Sequence, residues 1–202
     1  TMIASGSRDA TVRLWRASDG AHQRILSGHD DWVLTIAFSP DGMTIATGSK
    51  DRTVMLWRQA VTCTQHTLRG PEQPVHAVAY SPDGQTIAMG SGMMVILWRA
   101  SDGVPQHTLC GHERLVYDVA YSPDGLTLAT ASDDKTAIIW RASDGVKLRK
   151  LRGHQSGVYT LAYSPDGRTI ATGSADRTIG LWRVSDGIQK YVLRGHEGIV
   201  YS

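Results

Sequence analysis

A histidine, a threonine, an aspartate and a tryptophan stand at His154, Thr172, Asp176 and Trp182. The same four types recur at the same spacing at His29, Thr47, Asp51 and Trp57, and again at His112, Thr130, Asp134 and Trp140. An imidazole, a hydroxyl and a carboxylate are the parts of a nucleophilic triad. Their repetition argues for a different role, because an enzyme has no use for one triad per repeat. Buried indole and imidazole groups need hydrogen-bond partners, and a fully satisfied network would fix the geometry between strands.

One repeat tests this within the same chain. There the histidine position is Pro71, the threonine position is Met89 and the aspartate position falls on Gly92, with one residue deleted, while Trp98 remains. Independent surface sites have no reason to vanish together. A shared buried network does, since a half-satisfied one is worse than none, and Met89 is expected to fill the space. Metal binding finds little support. His29, His112, His154 and His196 come one per repeat, and no Cys-x-x-Cys or His-x-x-x-His spacing exists. No phosphate-binding or dinucleotide fingerprint is present, and no cofactor is expected.

The elements that must carry these residues repeat too. Trp15, Trp57, Trp98, Trp140 and Trp182 are spaced by 42, 41, 42 and 42 positions, and Gly28, Gly70, Gly111, Gly153 and Gly195 keep the same spacing. Within Gly153–Trp182, VYTLAY reads as a buried strand. SPDG is a turn, RTIATGS a second strand, SADRT a tight connection and TIGLW a third strand. RVSDG turns again, and IQKYVLRG is a half-exposed fourth strand. Four short strands every ~40–45 residues are the pattern of propeller blades, each of which must stack on its neighbours to bury its faces.

These marks resemble the WD-repeat family: Gly-His, then SPDG, then Ser/Thr-Gly-Ser-x-Asp-x-Thr, then a strand ending in Trp. The resemblance covers the whole chain. It implies an all-β propeller of four-stranded antiparallel blades, five blades' worth. The first strand of each blade lines a central channel and the fourth lies outermost. Residues 1–27 form a partial repeat; 28–69, 70–110, 111–152 and 153–194 form complete ones; 195–202 open another. It also implies that the recurrent set is a structural chain from His to Asp, through Ser/Thr, to the indole. The family's Trp-Asp is Trp-Arg in all five copies, at Arg16, Arg58, Arg99, Arg141 and Arg183. Four of these arginines have an Asp three residues on, at Asp19, Asp102, Asp144 and Asp186, and loose exposed pairs are expected. Arg58 meets Val61 instead. The strong likeness between repeats resembles long bacterial tandem arrays.

The ragged ends allow two readings. Aligning Ser202 with Thr160 and Thr1 with Arg168 leaves only Leu161–Gly167 unaccounted for. The stretch is either part of a longer array, or a five-blade unit closed between its termini or between chains.

A net charge of +2 gives no nucleic-acid footprint, and no apolar run approaches the ~18 residues a membrane span needs. Cys63 and Cys110 sit at non-equivalent positions, so a reduced, cytoplasmic setting is expected. The expected work is non-catalytic recognition of a protein or peptide, as the sensor of a larger multidomain protein. Another copy of the chain is a second class of partner. An enzyme would need one non-repeated polar cluster.

By the resemblance, the contact face is formed by the Gly-His loops and the turns between strands two and three. Carried over residue by residue, it comprises Trp32, Leu34 and Lys50; Pro74 and His76; Leu115, Tyr117 and Asp133; Gly157, Tyr159 and Ala175; and Ile199, Tyr201 and Arg8. Trp32, His76, Tyr117 and Tyr159 are expected to cluster at the channel opening with exposed edges.

Overall fold

A computed structural model describes residues 2–58, 64–70 and 72–201. Thr1, Val61, Cys63, Pro71 and Ser202, all used above, lie outside the described residues.

The described chain is strands and turns. Strands β1 (Met2–Gly6), β2 (Thr11–Arg16) and β3 (His22–Ser27) form a three-stranded sheet, the first blade. The second blade is β4 (Val33–Phe38), β5 (Thr44–Ser49), β6 (Thr53–Arg58) and β7 (Thr64–Arg69). The third is β8 (Val75–Tyr80), β9 (Thr86–Ser91), β10 (Met94–Arg99) and β11 (Pro105–Cys110). The fourth is β12 (Val116–Tyr121), β13 (Thr127–Ser132), β14 (Thr136–Arg141) and β15 (Lys147–Arg152). The fifth is β16 (Val158–Tyr163), β17 (Thr169–Ser174), β18 (Ile179–Arg183) and β19 (Gln189–Leu193). Each strand pairs antiparallel with the next in sequence, so every blade is a simple meander.

The blades adjoin through their first strands: β4 packs on β8, β8 on β12 and β12 on β16. Backbone bonds peg three of the blade edges, from Val33 N to Ser7 O, Val116 N to Gly92 O and Val200 N to Ser174 O. Apolar clusters fill the joints; Val95, Leu97 and Leu109 of the third blade pack with Val116, Val119 and Leu128 of the fourth. The outer strands of the first four blades bury one leucine each, at Leu26, Leu68, Leu109 and Leu151, only 2–3% exposed.

Two irregularities recur. The third strand slips register against the fourth at each tryptophan. The first strand slips against the second just after its opening valine, leaving Leu34, His76, Tyr117 and Tyr159 unpaired as bulge residues. The tight turns between strands two and three hold Ala10, Arg52, Lys135 and Arg177 at φ of 65°, 72°, 68° and 69°, a left-handed conformation that side chains other than glycine resist. In the third blade the corresponding turn uses Gly92, at φ 58°.

Candidate functional site

The recurrent polar set assembles in three blades. In the fourth, His112 Nδ1 lies 3.0 Å from Asp134 Oδ2, His112 Nε2 lies 2.7 Å from Thr130 Oγ1, and Trp140 Nε1 donates to Thr130 Oγ1 at 2.9 Å. The second blade repeats this with His29, Asp51, Thr47 and Trp57 at 2.7, 2.8 and 2.8 Å, and the fifth with His154, Asp176, Thr172 and Trp182 at 2.8, 2.8 and 2.7 Å. A carboxylate only accepts, so Nδ1–H must donate to it, leaving Nε2 to accept from the threonine.

That bond order is the order of a nucleophilic triad. Accessibility separates the two roles. The threonines are 0–1% exposed, and each oxygen already carries the indole N–H, so no substrate carbonyl can reach it. The aspartates instead organise the loops: Asp134 also accepts the backbone N–H of Glu113 and both donors of Thr136. Burial pushes these carboxylates up, but their hydrogen bonds outweigh it. In Asp176, bonds from Thr178, the Gln155 amide and His154 hold the pKa down to about 2.

In the third blade Met89 is fully buried where threonine stands elsewhere. Its methyl group crowds Gly70, whereas in the second, fourth and fifth blades the indole crowds the matching glycine. The Trp98 Nε1–H is buried without a partner among the described residues. Where the sequence loses the histidine, threonine and aspartate together and keeps Trp98, the indole N–H is left unsatisfied among the described residues.

On the face bearing the Gly-His loops, the bulges control what is displayed. A bulge turns its extra residue out of the strand's alternation, and here those residues are Leu34, His76, Tyr117 and Tyr159. Three of them, with Tyr201, make a continuous row of rings. His76 meets Tyr117 edge-on at 5.6 Å, Tyr117 stacks on Tyr159 at 4.5 Å and 15°, and Tyr159 meets Tyr201 edge-on at 5.4 Å. Tyr201 is 64% exposed, and the other three are half-buried. Burial lowers the pKa of His76, so at neutral pH it joins the row as an uncharged ring. Burial, with Tyr159 beside it, raises Tyr117 to about 12, keeping its hydroxyl protonated.

Trp32 does not join this row, contrary to the expected cluster. It precedes the bulge by two residues, and its half-buried ring lies between two cations, Arg8 at 4.3 Å and Lys50 at 4.5 Å. Lys50 also reaches Asp31, at 3.8 Å. Leu115 and Asp133 border a recess at the next joint but one, where Asp133 pairs with Arg114 at 3.2 Å. The Asp133 carboxylate comes so near Gly157 that a Cβ there would meet it at 2.7 Å. Pro74 is half-buried, Leu34, Lys50 and Ile199 are exposed, and the backbone N–H of Ala175 is tied to the Gly157 carbonyl.

Two features escaped sequence reasoning. Asp118 takes a position held by Thr35, Ala77 and Thr160 in the other blades; it reaches across a joint to accept the Leu161 N–H and the Thr160 hydroxyl. Burial raises its pKa. Its signal was that one-letter departure from the repeat. The recess beside Leu115 had no such signal, since it forms between two repeats.

On the opposite face, Arg16, Arg99, Arg141 and Arg183 each touch the Asp three residues on, at 2.7–2.8 Å, through a single nitrogen and with both side chains well exposed. Arg58 has no such ion pair among the described residues, and its expected neighbour Val61 lies outside them.

A family described as WD domain, G-beta repeat matches residues 1–16, 20–58, 62–99, 103–141 and 145–183. Among curated proteins, the chain is similar to Nuclear distribution protein PAC1 of Mycosarcoma maydis, 46% identical over 43 residues, which is 21% of this chain and 10% of that protein. It is likewise similar to the PAC1 protein of Coprinopsis cinerea, 52% identical over 40 residues, or 20% of this chain and 9% of that protein. The matched stretch thus spans about a tenth of these relatives and about one repeat of this chain.

Proposed function

The chain belongs to the WD domain, G-beta repeat family, and we propose that it serves as a non-catalytic platform that recognises a protein or peptide across its Gly-His-loop face. WD repeats generally mediate protein–protein interaction. The observation that carries the reading is the bulge in each first strand. It turns His76, Tyr117 and Tyr159 out of their strands, and with Tyr201 they line up into one aromatic surface. Aromatic side chains supply contact area at low entropic cost and dominate interface energetics. In the second, fourth and fifth blades the buried networks tie the loop to the blade below it. The named relatives share one repeat with this chain, so a role in nuclear distribution stays with them.

The test is selection of displayed peptides on the folded chain, followed by calorimetric titration of the winners. Trp32→Ala together with Tyr117→Ala should abolish their binding while the melting temperature is retained. Unchanged binding would move the site to the rim or the opposite face.

A second reading, assembly with another copy, draws on one observation. Leu193 of β19 is 46% exposed where its counterparts are 2–3% exposed, and Trp15 of β2 is half-exposed where the other repeat tryptophans are buried. Light scattering across a concentration series tests it; a constant monomer mass ends it.

A further inference from the structure

At the joint of the third and fourth blades a recess of about 460 Å³ opens on the Gly-His-loop face. Its walls are Gly92, Met93, Met94 and Leu115, mainly apolar, and Arg114 and Asp133 stand at its rim. Met93 is 53% exposed. Exposed methionine at a recess is adaptable contact surface for a guest.

The recess lies beside the shortened turn of the third blade. In the second, fourth and fifth blades the residue after strand two donates its N–H to the carbonyl of the loop, as Lys50 does to Trp32, Asp133 to Leu115 and Ala175 to Gly157. The third blade's turn is one residue shorter. Its Gly92 instead accepts from Val116 of the next blade, at 2.7 Å, and presents no side chain to the joint.

The first joint shows what such a space holds. There the position of Leu115 is occupied by Trp32, whose indole is flanked by Arg8 across the joint. The charged pairs beside the two spaces occupy the same repeat positions with their signs exchanged. Asp31 and Lys50 stand next to the filled space, and Arg114 and Asp133 next to the open one. Trp32 lies under Lys50, the cation of its pair; beside the recess the cation stands at the other position of the pair, as Arg114, where its guanidinium can meet a ring seated in the recess.

We propose that this recess is the anchor pocket of the interaction face and takes an aromatic side chain of the partner, with Arg114 against the guest ring and Met93 and Met94 beneath it. This rests on the Gly-His-loop face being the contact surface, and it adds the chemical class that the face selects.

The first test needs no partner. With isotope-labelled methionine methyl groups, N-acetyl-tryptophanamide should shift the Met93 and Met94 signals by ring current, leaving Met43 on the opposite face unmoved. N-acetyl-leucinamide should move them far less. Equal shifts from both amides, or none from either, overturn the proposal. So do Met93 and Met94 signals that shift with protein concentration alone, which would give the recess to a second copy.

The second test uses the displayed peptides. Leu115→Trp, which supplies the recess with the protein's own indole, and Met93→Lys, at an exposed position that folding tolerates, should each weaken aromatic-bearing peptides by about tenfold or more. If Tyr117→Ala abolishes peptide binding while both recess variants leave it intact, the pocket is refuted and the face stands. If none of the three variants affects binding, both fall.

Discussion

The third and fourth blades are neighbours with one strand plan, and each buries a tryptophan at the end of its third strand. Only the fourth ties that tryptophan to a histidine. In the fourth, Trp140 N–H, Thr130, His112 and Asp134 form a closed sequence of bonds. In the third, Met89 stands in for the threonine, a shorter turn for the aspartate, and the Trp98 N–H has no partner among the described residues. Both blades nevertheless keep their registers and their bulges. Apolar burial and strand pairing therefore suffice to form a blade. The network adds stability and fixes the loop above it, and where it is missing the loop is shorter and a recess opens.

The largest effect that could break this comparison is at Asp134. Alanine there strands His112, Thr136 and a backbone N–H, and should cost about 2–3 kcal/mol in denaturant unfolding. Its positional match, Gly92, is no neutral control: its positive φ and the nearby Gln73 side chain mean that alanine there carries backbone strain of about 1 kcal/mol. A loss at Asp134 no larger than that would remove the network from the account.

The paired tryptophans sharpen the contrast. Trp140→Phe gives up a satisfied N–H and strips Thr130 of a donor, whereas Trp98→Phe removes an orphan. The first change should cost about 1–2 kcal/mol more than the second in thermal melts. Equal costs would mean that the Trp98 N–H is satisfied in solution.

Two carboxylates should respond to acid with opposite sign. Asp176 is held at about 2, below its ordinary value of 3.8, so its contribution is present above that value and is lost as pH falls through about 2. Asp118 is raised above 3.8, so its contribution is full below 3.8 and lost as pH rises through the raised value. Asp118→Asn loses one of the two backbone N–H bonds that the carboxylate oxygens accept from Val119 and Leu161, so it should destabilise, and by less at neutral pH than in acid. Asp176→Asn should destabilise at neutral pH and converge with the parent below about pH 2. Parallel pH–stability curves for the two variants would refute both assignments.

The smallest expected effect is on the opposite face. Arg141→Ala should cost ~0–1 kcal/mol, because its pair with Asp144 is single and exposed. Arg58→Ala should cost no more. A larger loss at Arg141 would show that the Trp-Arg pairs brace the turns.

Much of this architecture was readable residue by residue. VYTLAY, SPDG and TIGLW each have one sensible local structure, and their recurrence fixes how the pieces stack. The polar set was readable because buried imidazole and indole have few ways to be satisfied. The aromatic row was only half readable. Spacing put His76, Tyr117 and Tyr159 at equivalent positions, but the bulge that lifts them out breaks the strand's alternation and leaves no mark of its own in the letters. Trp32 shares the face but not the row, a difference of two residues that only register resolves. The recess was not readable, because it depends on a deletion in one repeat meeting a leucine in the next.

The left-handed turn residues carry a further consequence. Arg52, Lys135 and Arg177 hold φ values that glycine would adopt without strain, and all three are cations on the turns of the Gly-His-loop face. Glycine at each should make the fold more resistant to heat, by up to about 1 kcal/mol per turn, and the gains should add because the turns are far apart. The same changes would remove three positive charges from the Gly-His-loop face. The chain thus keeps thermal stability in reserve at positions where drawing on it would alter the surface charge of that face.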